Sequence, residues 1–267
     1  MSIFGLDASP NHRLTSALKD GRSHIIPSKK PPKHCIVFVH GFSGSALDTW
    51  EGFNSDALQD PALDETDLVF FGYDGRKSNA LAAASFFFDL LDSLLGNGAL
   101  ISSVRPTPPA YASCVLAAHS LGALVTRWAL LRAYDQKQPW LKDIRYLLFA
   151  PAHSGGIIVD SVTDLLSSNS FLKFFGDVAK ADMPLLQELR PGSPVLKALE
   201  DQTRIAISAG CTNLRARRVI IAEYEQVVSN LPFPGDPYPT AIRGAYHTSV
   251  CKLAEFPELI NYVKELL

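Results

Sequence analysis

The sequence lacks a long uninterrupted run of apolar residues, although hydrophobic residues make up 47% of its 267 positions. Its most apolar stretch, residues 80–95, contains Asp89 and Asp92 and is shorter than the roughly 20 residues that a membrane-spanning helix needs. The N-terminal region carries Asp7 and no apolar stretch of the kind found in a secretory signal. The sequence therefore predicts a cytoplasmic protein with a large apolar core and no transmembrane segment.

Charged residues are also scarce, at 19% of the chain, and the net charge is −2 at pH 7. No run of Lys and Arg is long enough to form the basic surface with which proteins bind nucleic acid, so we expect no nucleic-acid partner. The four cysteines show no Cys-x-x-Cys spacing, and at least two lie within apolar runs, which favours free buried thiols. We expect neither a metal nor another cofactor.

Short apolar runs alternate with helical patterns from residue 35 onward, which is the order of a parallel sheet built from β-α-β units. Each run is nearly all apolar, as in strands that helices cover on both faces. The predicted strands are residues 35–39, 67–71, 114–117, 146–149, 205–209 and 219–222, and the predicted helices are residues 80–95, 121–133 and 257–267. This pattern indicates the α/β class, with a mainly parallel central sheet flanked by helices.

Two parts of the chain fall outside this alternation. Residues 1–33 have mixed polarity and little periodicity, and we predict that they form an N-terminal extension to one domain over residues 34–267. Residues 156–199 contain helical pieces separated by Ser, Asn, Gly and Pro, without a convincing strand. Because this second segment lies between two predicted strands, we expect it to form a helical cap over the carboxyl edge of the sheet.

The sharpest motif is Ala118-His119-Ser120-Leu121-Gly122, which stands between a predicted strand and a predicted helix. It has the form of the nucleophile elbow, Gly-x-Ser-x-Gly, with alanine at the first glycine position. Such a turn is so tight that only small residues fit two positions before and after the serine. It would also place the Leu121 backbone N–H at a helix N-terminus, where partial positive charge stabilises an oxyanion. The alternative is a serine that only caps the helix.

The loop after the first predicted core strand has the sequence Val39-His40-Gly41-Phe42-Ser43-Gly44. Glycines in this loop would let it curl close to the nucleophile, and in this arrangement a backbone N–H of the loop is the second oxyanion donor. We expect that donor to be Phe42. The ring of His40 is expected to be hydrogen-bonded under the loop and to have no catalytic role.

Together these motifs resemble those of lipase- and esterase-type α/β-hydrolases. Residues 150–155 resemble the turn that opens the lid region in such lipases, and residues 189–196 resemble a segment that precedes their next strand. Residues 245–249, Ala-Tyr-His-Thr-Ser, are similar to the histidine loop of hydrolases related to the glycosylphosphatidylinositol inositol-deacylases. The resemblance runs from residue 35 to the C-terminus and implies an α/β-hydrolase fold with a serine nucleophile.

This fold orders its catalytic residues along the chain as serine, acid and histidine. His153 comes too soon after a predicted strand to leave room for the acid, whereas His247 stands just before the closing helix. His247 is therefore the predicted base. His119 would point away from the serine hydroxyl in an elbow, and it is predicted either to be a packing residue or to support the catalytic groups from behind.

Several residues are candidates for the acid. The family places a carboxylate after the strand predicted at residues 205–209, but the chain has Gly-Cys-Thr-Asn there. Glu223, Glu225 and Asp236 follow later, and an absent or relaxed acid is a further alternative. Glu225 leads because Glu225-Gln-Val-Val resembles the acid-x-Val-Val run of relatives. Glu223 remains open because alternate side chains of an extended chain share a face.

These residues predict acyl transfer from a carboxylic ester to water through an acyl-enzyme. The predicted cap is rich in apolar side chains, namely Phe171, Phe174, Phe175, Leu185 and Leu186. This composition favours a small or lipid-like ester as the substrate and peripheral contact of the cap with a membrane. An amidase or thioesterase could use the same groups. A non-catalytic binding or signalling module is the third hypothesis, supported by the missing carboxylate near Cys211. The sequence carries no signal for an oligomeric state.

Overall fold

The computed structural model describes residues 15–75, 78–102, 104–105, 107, 109–154, 188–229 and 231–267. Its strands are β1 (Ser16–Ala17), β2 (His24–Ile26), β3 (His34–Val39), β4 (Thr66–Phe71), β5 (Ser113–His119), β6 (Ile144–Phe149), β7 (Arg218–Tyr224) and β8 (Thr240–Tyr246). Its α-helices are α1 (Ala80–Leu91), α2 (Leu121–Asp135), α3 (Pro194–Ser208) and α4 (Leu259–Lys264). A π-helical turn, Asp92–Gly96, continues α1. Short 3-10 turns occur at Asp48–Trp50, Asp56–Gln59, Pro61–Leu63, Ala99–Ile101, Pro139–Asp143 and Thr212–Leu214.

The eight strands form one sheet in the order β1-β2-β4-β3-β5-β6-β7-β8. All neighbours from β4 to β8 pair in parallel, whereas β1 and β2 pair antiparallel with each other and β2 pairs antiparallel with β4. The mainly parallel sheet predicted from the sequence is confirmed. Because β4 and β5 lie on opposite sides of β3, the strand order reverses there, and open α/β sheets bind ligands at the carboxyl ends of the strands at such a point.

The central strands are buried along their whole length, which explains their uninterrupted apolar runs. In the pairing of β3 with β5, Val39 lies opposite Ala118. The loop after β3 and the turn after β5 therefore leave the sheet at the same level. Among the residues that the structure describes, no helix is both long and apolar enough to cross a membrane.

The strand predicted at residues 205–209 is wrong, because this stretch is the last part of α3. Ser193 caps that helix by accepting the Leu196 N–H, and Pro194 occupies its first turn. Ile205 is 62% exposed, so the apolar stretch that includes it is part of an amphipathic helix. The residues near Cys211 therefore follow a helix, and the lack of a carboxylate there does not argue against a catalytic acid.

The edges of the sheet also differ from the prediction. Residues 16–26, expected in the N-terminal extension, contribute β1 and β2, which are too short to show an alternating pattern in the sequence. The edge strand β8 was not predicted, because it is half exposed and contains Arg243 and Gly244. Of the predicted cap, residues 156–187 lie outside the described residues.

A buried ion pair joins α2 to the loop between β7 and β8. The guanidinium Nη2 of Arg127 lies 2.5 Å from Asp236 Oδ2, and both side chains are at most 1% exposed. Arg127 also donates to the Leu214 carbonyl at 2.8 Å and lies 4.0 Å from the ring centroid of Phe233. The second oxygen of Asp236 accepts the Ala216 N–H. This pair fixes the start of the chain segment that leads into β8.

We predict that Asp236→Asn lowers the free energy of unfolding by about 3–5 kcal/mol, because it leaves a buried guanidinium without a compensating charge. Urea unfolding followed by circular dichroism measures the change. Asp201→Asn is the matched control, because its partner Arg204 and Asp201 itself are 59% and 61% exposed, and such pairs contribute about 0–1 kcal/mol. Equal effects of the two substitutions would contradict the prediction.

Candidate active site

Ser120 occupies a strained turn between β5 and α2. Its backbone has φ 53° and ψ −120°, a region that residues other than glycine rarely adopt. The Ser120 N–H donates to the Phe149 carbonyl at 2.9 Å, so the turn is tied to the neighbouring strand β6. Leu121 is the first residue of α2. The sequence predicted this strand-turn-helix arrangement, and the backbone geometry accounts for the small residues around the serine.

Two glycines allow the turn and the loop after β3 to pack backbone against backbone. A Cβ atom on Gly122 would lie 2.4 Å from the Val39 carbonyl oxygen, and one on Gly41 would lie 2.8 Å from the Cβ of Ser120. Real Cβ atoms do not approach other atoms so closely, so neither position accepts a side chain without displacing backbone. The loop that contains Phe42 is therefore held directly against the serine.

The structure brings Ser120, His247 and Glu225 together. Nε2 of His247 lies 3.0 Å from Ser120 Oγ, and Nδ1 lies 3.0 Å and 3.1 Å from the two carboxylate oxygens of Glu225. Oε1 of Glu225 also accepts the backbone N–H groups of Val227 and Val228. With the Nδ1 proton directed at the carboxylate, Nε2 has its lone pair available to the serine hydroxyl.

The other two carboxylates that the sequence left open have different partners. Glu223 Oε2 accepts the Gly244 N–H at 2.8 Å, and Asp236 pairs with Arg127. Glu223 lies within β7, whereas Glu225 follows the strand, which ends at Tyr224 and pairs irregularly with β8 between Ala222 and Tyr224. Of the three, Glu225 is the one hydrogen-bonded to the His247 ring.

The predicted oxyanion donors lie on both sides of Ser120. Leu121 begins α2, where the first backbone N–H groups of a helix have no carbonyl partner within that helix. Phe42 follows Gly41, which packs against Ser120. Their positions are compatible with donation to an oxyanion, and their roles stay predictions. Within the described part of the chain, no cluster of three or more His, Cys, Asp or Glu side chains could hold a metal ion.

Three other histidines are buried around the site. The ring of His40 lies under the loop after β3, where Nδ1 donates to the Gly41 carbonyl and Nε2 accepts the Tyr73 N–H. His153 is packed against the ring of Phe233, 4.7 Å away between centroids. Burial lowers the pKa of His40 and holds the pKa of His153 well below its usual range. Within the described part of the chain, neither ring is hydrogen-bonded to Ser120 Oγ.

His119 has a contact that the sequence did not reveal. Its Nε2–H donates to the backbone carbonyl of His247 at 2.8 Å, and the two ring centroids are 4.9 Å apart. Burial, followed by the nearby His247, lowers the pKa of His119 to about 3. The two residues are 128 positions apart, and no local sequence pattern predicts a hydrogen bond between them.

We predict that the free energy of unfolding falls as the pH decreases from 7 to 5. His40, His119 and His153 resist protonation in the folded protein, whereas in the unfolded chain they take up protons near pH 6.5. The unfolded state therefore binds more protons, and each histidine lowers stability by up to about 1.4 kcal/mol per pH unit below its unfolded pKa.

Urea unfolding at pH 7, 6 and 5 measures this slope. The variant His153→Gln removes one of the three groups and is expected to show a shallower slope than the wild type. A free energy of unfolding that is constant between pH 7 and 5 would show that the buried imidazoles take up protons in the folded state as readily as in the unfolded chain.

A family model matches one part of the chain. Residues 29–155 match the model described as "Putative serine esterase (DUF676)". The match includes Gly41, Phe42 and Ser120, and it ends before Glu225 and His247. No curated protein matches the sequence.

Solved structures that superpose on this chain include the following three hydrolases. Mature lipase BlEst2 from Bacillus licheniformis has a TM-score of 0.57 at 15% identity, over 90% of this chain and 94% of that one. Peroxisomal α/β-hydrolase Lpx1 from Saccharomyces cerevisiae has a TM-score of 0.53 at 11% identity, over 91% and 81%. YbtT, a type II thioesterase from the yersiniabactin pathway, has a TM-score of 0.52 at 13% identity, over 90% and 94%. At these identities the likeness concerns the fold alone.

Proposed function

The chain is an α/β-hydrolase by fold and resembles a serine esterase family over residues 29–155, and on that premise we propose that it hydrolyses carboxylic esters with Ser120 as the nucleophile. The observation that carries the proposal is the chain of hydrogen bonds from Ser120 Oγ to His247 Nε2, at 3.0 Å, and from His247 Nδ1 to Glu225. This arrangement suits acyl transfer, because the base contacts the nucleophile and the carboxylate orients the base.

In the first half of the reaction, Nε2 of His247 takes the Ser120 proton as Oγ attacks the ester carbonyl carbon. The carbonyl oxygen becomes an oxyanion, which the backbone N–H groups of Leu121 and Phe42 stabilise. The protonated His247 then gives its proton to the leaving alcohol as the bond between the carbonyl carbon and the ester oxygen breaks. The acyl group remains on Ser120.

In the second half, a water molecule replaces the alcohol. His247 takes one proton from the water, whose oxygen attacks the acyl carbon, and the collapse of the second tetrahedral intermediate returns the proton to Ser120 Oγ. Glu225 keeps the Nδ1 proton in place and stabilises the imidazolium that forms in each half. The amide donors of Val227 and Val228 hold this carboxylate in position.

The proposed substrate is a small-molecule or lipid-like carboxylic ester. A series of p-nitrophenyl esters from acetate to palmitate would distinguish a short-chain esterase from a lipase. A thioester and an anilide of the preferred acyl group would test the thioesterase and amidase alternatives. A chain that binds these compounds without turnover would support the non-catalytic module.

We predict that a fluorophosphonate probe labels the wild type at Ser120 and does not label Ser120→Ala. Without the catalytic serine, only substrate binding and stabilisation of the oxyanion still accelerate the reaction. The rate of p-nitrophenyl butyrate hydrolysis by the variant should therefore fall by about 10⁴-fold or more. Mass spectrometry of the labelled peptide identifies the serine. Undiminished labelling of Ser120→Ala, or an unreactive folded wild type, would overturn the proposed function.

We also predict that Glu225→Gln lowers kcat by about 10⁴-fold, because a neutral amide neither fixes the required imidazole tautomer nor stabilises the imidazolium. Glu223→Gln is the matched control: it neutralises a carboxylate two residues away that bonds to the Gly244 N–H. The control should change kcat only slightly. Steady-state kinetics on both variants would reject Glu225 as the acid if the two losses were equal.

A further inference from the structure

The ring of His119 lies at the meeting point of the three segments that carry the proposed machinery. Its backbone precedes Ser120, and its Nε2–H donates to the His247 carbonyl at 2.8 Å. Its Nδ1 faces the loop after β3, since a Cβ on Gly41 would lie 3.1 Å from that nitrogen. The ring is buried, so these contacts are shielded from water.

The protonation state of His119 follows from these partners. A carbonyl oxygen only accepts hydrogen bonds, so Nε2 must carry the proton. With a pKa of about 3, the ring is neutral at ordinary pH and its Nδ1 has a lone pair. A neutral donor matters here, because a positive charge 4.9 Å from the His247 ring would oppose the imidazolium that forms during turnover.

We propose that His119 is a positioning residue that sets the location of His247 relative to Ser120 by holding its backbone carbonyl. This inference rests on the proposed function. Glu225 fixes the His247 side chain at Nδ1, and His119 fixes the main chain from which that side chain starts. Loss of the second restraint lets the imidazole shift, and a displacement of about 1 Å from the reacting geometry can lower the rate by about 10²-fold.

Two amide substitutions test whether the hydrogen bond is responsible. In His119→Gln the side-chain amide nitrogen reaches the place of Nε2, whereas in His119→Asn it is too short to reach the His247 carbonyl. We expect His119→Asn to lower kcat for p-nitrophenyl butyrate by about 10²-fold with little change in KM, and His119→Gln to recover most of the loss. Melting temperatures of both variants show whether they fold equally well.

Equal kcat losses in the two variants would overturn the inference, and so would wild-type kcat in His119→Asn. If His119→Asn does not fold, His119→Phe replaces it, because phenylalanine keeps the ring volume and removes the donor. The fluorophosphonate experiment separates this inference from the proposed function. An unreactive Ser120 in the wild type refutes the function, whereas normal labelling together with an inert His119 refutes only the positioning role.

Discussion

The contact between two stretches of backbone, the turn after β5 and the loop after β3, is the constraint on which the site depends. Gly122 faces the Val39 carbonyl and Gly41 faces Ser120, at separations that exclude a Cβ atom. Because β3 and β5 are adjacent and in register, the two loops meet at the end of the sheet. The positive φ of Ser120 persists because the buried strand β5 holds one end of the turn and the buried start of helix α2 holds the other.

The polar groups around this contact are arranged in layers behind the serine. His247 contacts Ser120, Glu225 and His119 hold His247 at its ring and its carbonyl, and backbone amides hold Glu225. Beyond them, the Arg127–Asp236 pair fastens the chain that leads into β8. Each layer is buried and hydrogen-bonded, as polar groups must be where water is excluded. The geometry of the serine and histidine thus depends on groups that do not contact the hydroxyl.

Local features of the site could be predicted from the sequence, and features set by distant contacts could not. The elbow around Ser120 was predictable because strand, small residues and helix are consecutive. The acid stayed open because the last part of α3, an apolar run of strand length that includes the exposed Ile205, was predicted as the strand that the acid should follow. The partners of Asp236 and His119 lie 109 and 128 residues away, so sequence spacing gives no indication of them.

The proposed base and nucleophile belong to parts of the sheet that differ in exposure. Ser120 follows the central, fully buried strand β5, whereas His247 follows β8, the edge strand, which is half exposed. Edge elements with exposed backbone hydrogen bonds open at lower free energy than the core to which they attach. Fraying of β8 would therefore separate the imidazole from the hydroxyl while the remaining strands stay paired, so that heat would disrupt the proposed site before the core melts.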